Sequence, residues 1–119
     1  GASTGNRLYI YLHNGSSGAS YNTNIDLPTG EWFHLMKTYD LSAGTVKVYL
    51  NSALKKTQTV ITGNIYSSGN SDAFFRISKN SNNNSGYLDG KISQVRVYDS
   101  VLTDTQIVDD YSTHDYLYI

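Results

Sequence analysis

Glu31–Asn51 reads EWFHLMKTYDLSAGTVKVYLN, and this stretch decides the fold class. In Thr45–Asn51, Val46, Val48 and Leu50 alternate with Lys47 and Tyr49. That period of two describes a strand with an aliphatic inner face and a polar or aromatic outer one. Leu41-Ser42-Ala43-Gly44 supplies the turn before it. Glu31–Tyr39 carries apolar residues on both parities, so it is expected as a strand buried on both faces. The two segments form a β-hairpin.

The same grammar extends in both directions. Arg7–Leu12 (RLYIYL) places Leu8, Ile10 and Leu12 on an inner face. Tyr9 and Tyr11 fall on an outer or second-core face. His13–Gly18 has turn chemistry, Tyr21–Leu27 is a further strand, and Pro28-Thr29-Gly30 closes it. Leu54–Ile61 is the next strand, with Lys55 and Lys56 at its start. Gly63–Asp72 and Lys79–Gly86 read as polar loops around a strand at Ala73–Ser78. Tyr87–Asp99 (YLDGKISQVRVYD) is a strand whose alternation slips between Ile92 and Val95, as a bulge would produce. Thr103-Asp104-Thr105-Gln106 is a capping box. It starts a short helix over Thr103–Tyr111, with Ile107, Val108 and Tyr111 on its buried side. The tail from His114 is expected as a last strand. The fold class is therefore all-β, an antiparallel β-sandwich with one short C-terminal helix.

Composition narrows the function. The chain has 119 residues, enough for one domain over 1–119. It has no cysteine, which removes disulfides, thiolate chemistry and zinc–cysteine sites. Net charge is -1 with scattered basic residues, so nucleic acid is not an expected partner. No apolar run is long enough to span a membrane. Asn, Ser, Gly, Thr and Tyr dominate, a mixture common on extracellular, cell-surface and virion-surface proteins.

Three segments together resemble the laminin G-like branch of the concanavalin A-like lectin and glucanase superfamily. Gly30–Leu35 (GEWFHL) is similar to the family's G-x-W-x-H start. Thr38-Tyr39-Asp40 followed by Gly44–Asn51 resembles its TYD…G…V-x-LYVNG hairpin. Gly86–Asp99, with Leu102-Thr103 and Gln106-Ile107, resembles F-x-G-x-I-x-x-V-R-I-Y-x-x-x-L-S-x-x-Q-I. The resemblance implies a jelly-roll sandwich and a secreted binding or assembly module. Two positions depart from it: Ser52 and Ser78 stand where the family has glycine. The family also carries strands ahead of the segment matching Arg7–Leu12. The expectation is that the chain is the C-terminal part of a longer one, or that neighbouring copies complete its sheets.

Catalytic candidates are few. Family members that hydrolyse glycans use paired carboxylates on a strand, about 5–9.5 Å apart. Glu31 is the lone glutamate, and Asp109-Asp110 reads as a solvated helix end. His34 belongs to the family motif and is read as a packed or hydrogen-bonded histidine. His13 and His114 lack metal-ligand spacing. Trp32 is read as core rather than as a sugar platform. The protein is expected to be no enzyme.

Binding candidates lie in the loops. Asn80, Asn82, Asn83, Asn84 and Tyr87 form a candidate ligand site, with Asp72 and Asp89 as candidate calcium ligands. Asn14-Gly15-Ser16 and Asn83-Asn84-Ser85 have the form of glycosylation sequons. Tyr9, Tyr11 and Tyr49 are candidates for a partner-facing surface. Recognition of a glycan or glycoprotein is one function expected. The other is assembly on a virion surface or in an extracellular appendage.

Overall fold

A computed structural model describes residues 6–40, 42–63 and 89–115, with side chains to 113. Five strands and one helix occur among them: β1 (Arg7–His13), β2 (Gly18–Asp26), β3 (Leu35–Asp40), β4 (Thr45–Leu50), β5 (Ala53–Thr59) and α1 (Asp104–Asp115). β1 and β2 form one antiparallel sheet. β3, β4 and β5 form a second, in the order β3-β4-β5.

The core lies between the two sheets. Ile10 and Leu12 of β1 meet Val46 and Val48 of β4 and Val60 beyond β5, with Leu8, Tyr21, Ile25, Leu35 and Tyr39 around them. The alternation read from RLYIYL holds: Ile10 and Leu12 are buried, while Tyr9 and Tyr11 are exposed. Thr23 is also buried, and its hydroxyl donates to the Leu8 carbonyl at 2.7 Å, so β2 crosses the core without an unmet polar group.

The β3–β4 hairpin pairs Leu35 with Leu50 and Asp40 with Thr45. Its turn needs Gly44, whose φ is +66°. A Cβ there would lie 2.9 Å from the Thr62 methyl and 3.1 Å from the Val60 carbonyl oxygen. The next hairpin joins Leu50 to Ala53 through Asn51 and Ser52, both with positive φ (50° and 68°). These are the torsions of a two-residue turn that matches strand twist and favours Asn-Gly. Ser52, standing where the family has glycine, adopts the glycine-type conformation.

Several sequence expectations need correction. The strand expected from Glu31 begins only at Leu35. The preceding residues are not in a strand, and Trp32, expected in the core, is 54% exposed. Tyr49, expected to face out, is 3% exposed. It does lie on the face opposite Val48, but α1 covers that face. Among the described residues, 89–99 joins no ladder, so a strand over Tyr87–Asp99 is not seen in its described part. The helix runs on through Asp115, so His114 does not open a strand. Val108 is exposed although expected inside, and Asp110 is buried although expected in solvent. The strand at Ala73–Ser78 and the loop at Lys79–Gly86 lie outside the described residues.

Candidate functional site

Helix α1 organises the polar chemistry of the described residues. Its first turn is held by the capping box: the Thr103 hydroxyl accepts the Gln106 N–H at 3.2 Å, and the Gln106 side chain accepts the Thr103 N–H at 2.9 Å. Positions three or four apart on a helix share a face. Asp104, Ile107 and Asp110-Tyr111 therefore point toward the sheet, and Ile107 is fully buried.

Two polar contacts flank Ile107. At the helix start, the Tyr49 hydroxyl donates to Asp104 at 2.7 Å. Burial pushes the Tyr49 phenol up to about 12, and the bond to Asp104 and that carboxylate's charge add to it. One turn beyond Ile107, Asp110 collects three donors. Its Oδ1 accepts from Arg96 Nη1 at 2.8 Å and from the Tyr98 hydroxyl at 2.6 Å, while Oδ2 accepts from His34 Nε2 at 2.9 Å. Burial alone pushes the Asp110 carboxyl up. The bonds from Tyr98, His34 and Arg96, with the guanidinium charge, outweigh it and hold the group below the ordinary carboxylate range.

His34 is itself positioned from two directions. Its backbone N–H donates to the Asn51 side chain at 2.9 Å, and its carbonyl accepts the Asn51 N–H at 2.8 Å. Its ring meets Tyr111 edge-on at 5.6 Å between centroids. The reading of His34 as a hydrogen-bonded structural histidine holds, although it precedes β3 rather than lying within it. A His–Asp pair also orients catalytic histidines. Here, however, the other ring nitrogen, Nδ1, is buried and presents no face to a substrate. The cluster fastens the helix, the β4–β5 turn and the 94–98 segment together.

Beside this clamp lies an open groove of about 390 Å³. One wall is the outer face of β3 and β4, where Thr38, Asp40, Lys47 and Tyr49 lie in register. The other is the approach to α1, with Val101 and Asp104. The groove combines fixed carboxylates, an ammonium group, hydroxyls and an aliphatic patch.

Asn80, Asn82, Asn83, Asn84, Tyr87 and Asp72 lie outside the described residues. Asp89 is exposed, and among the described residues no group of three or more acidic, His or Cys side chains could hold a metal. Asn14, the first sequon position, is used by the fold: its amide donates to the Thr62 carbonyl at 3.0 Å and its oxygen accepts the N–H groups of Ser16 and Ser17. Sequence reasoning missed Asp110 and the groove. The spacing of Asp104, Ile107 and Asp110 carried the signal for Asp110, which a search for apolar positions alone passes over.

A family model described as the concanavalin A-like lectin/glucanases superfamily, of laminin G type, matches residues 1–108. The chain belongs to this superfamily. The two-sheet arrangement with a short C-terminal helix is the sandwich expected of a member. The fold is also similar to the crystal structure of an S-layer domain-containing protein (residues 221–444) from Clostridium thermocellum, with a TM-score of 0.59 and 18% identity. That match covers 87% of this chain and 50% of that one, so this superfamily member spans half the length of the S-layer structure. No curated protein is measurably similar to it. Among the described residues, no helix is long and apolar enough to cross a membrane.

Proposed function

We propose that this superfamily member is an extracellular, non-catalytic binding module that recognises glycans or glycoproteins. The observation that carries the reading is the fate of Asp110. The most buried carboxylate described accepts from His34, Arg96 and Tyr98 and is held below its ordinary range, which suits a clamp and not a general acid. Glu31, the lone glutamate, is exposed. The polar groups left at the surface are of the kind that bind hydroxyl-rich ligands. The structural neighbour is an S-layer domain-containing protein, which agrees with a cell-surface setting.

The folded chain on a broad glycan array, once with calcium and once with a chelator, tests this. Specific binding supports the reading. Absence of binding by demonstrably folded protein sinks it. Assembly at a cell or virion surface is the second reading, favoured by Ile92, Val95, Val97 and Val101, all exposed along one short segment. Concentration-dependent oligomers in sedimentation, without glycan binding, would select it.

A further inference from the structure

The groove beside α1 has the properties of a built site. Both of its carboxylates are fixed before any ligand arrives. Asp104 takes the Tyr49 hydroxyl at 2.7 Å. Asp40 takes the Ser42 hydroxyl at 2.8 Å and the Ala43 N–H at 3.1 Å. These bonds hold the Asp40 carboxyl below its ordinary range, Ser42 contributing most. The wall that carries Val101 is anchored by the capping box at Thr103 and Gln106. Behind the opposite wall, Val46 and Val48 are fully buried, so β4 cannot give way. Little ordering remains to be done on binding, which favours affinity for a small ligand.

The lining chemistry narrows the ligand. Ionised carboxylates accept hydroxyl protons, and each of these has lone pairs beyond those already used. Lys47 donates only. Thr38 and Thr45 can do either. Val101 is 52% exposed and offers an aliphatic surface to a ring's C–H face. Two carboxylates against one ammonium disfavour an anionic ligand. A volume of about 390 Å³ falls within the range of small-molecule sites, roughly 300–1,000 Å³.

We infer that this groove is a metal-independent subsite for an uncharged pyranose unit, with Asp40 and Asp104 accepting ring hydroxyls, Lys47 donating, and Val101 against the C–H face. The inference rests on the glycan-binding reading above and gives that reading a place on the molecule. It rests on other residues than Asn80, Asn82, Asn83 and Asn84.

The neutral glycans bound on the array are titrated calorimetrically against wild type, Lys47→Ala, Val101→Asp and the double variant Asn82→Ala/Asn84→Ala. Thermal melts and circular dichroism verify folding of each. Both groove variants are expected to weaken binding by about tenfold or more, the loss of one charged hydrogen bond or its equivalent. The loop variant and a chelator should leave affinity unchanged. Groove variants that bind like wild type, or binding confined to sialylated or sulfated glycans, would overturn the subsite while leaving the glycan-binding reading intact. Folded wild-type protein that binds no glycan overturns both.

Discussion

Asp110 and Asp109 are chemically identical neighbours with opposite fates. Adjacent residues on a helix point about 100° apart, so one turns toward His34 and the other toward water. Asp110 is 8% exposed and holds three donors. Removing Asp110 leaves the enclosed His34 ring without that acceptor, while Arg96 and Tyr98 are exposed and can turn to water. Asp110→Ala is expected to destabilise the fold by about 1–2 kcal/mol, most of it from the enclosed His34 contact, since water screens the Arg96 side. Asp109→Ala should stay within about 0.5 kcal/mol. Urea unfolding of both variants beside wild type measures the contrast. Equal midpoints for the two would mean that the clamp contributes nothing. Residue type alone could not separate these aspartates; the spacing from Ile107 could have.

The hairpins show where local sequence governs an element and where it does not. The β3–β4 pairing follows from alternation and from a glycine at the one turn position where backbone crowds it. At the next turn, Ser52 holds φ +68° without glycine's freedom. A left-handed torsion costs an L-residue roughly 1–2 kcal/mol. Ser52→Gly is therefore expected to raise stability by about 1 kcal/mol, less whatever glycine loses in the unfolded chain. A higher denaturation midpoint at unchanged m-value is the signature. A lower midpoint would show that the Ser52 side chain has a role the turn geometry does not reveal. The start of β3 was misplaced for a related reason. Apolar residues on both parities from Trp32 look like a central strand, but His34 is claimed by Asn51 and Asp110, and the chain bends before Leu35.

At the scale of the molecule, two titrations bound the stability window. Asp110 has a folded-state value below its unfolded one, so it binds a proton less readily when folded. Its contribution is complete above the unfolded value of 3.8 and is lost as pH falls through the lower folded value. Tyr49 is the reverse case. Its contribution is present below 10.0 and is lost as pH rises toward about 12. The stability gap between wild type and Asp110→Ala should hold from neutral pH down to that acid limb and shrink within it. Wild type should lose stability between those alkaline limits more steeply than Tyr49→Phe. Denaturation midpoints across pH test both, and parallel curves for the variants would refute them.

Alternation and turn residues, which depend only on the local chain, determined the all-β class, the first hairpin, the inner faces of β1 and β4, and the capped helix. A set of weak motifs in order was enough to suggest the family. What covers the far face of a strand is not a local property. Tyr49 reads as outward from its parity and is buried because α1, more than fifty residues later in the chain, lies over it. Asp110 reads as solvated from its charge and is buried because His34, Arg96 and Tyr98 converge on it. The groove likewise exists only where β3 and β4 meet the approach to α1. Pattern reports which side of an element is apolar; long-range packing decides which polar groups are enclosed, and whether a partner makes that enclosure favourable.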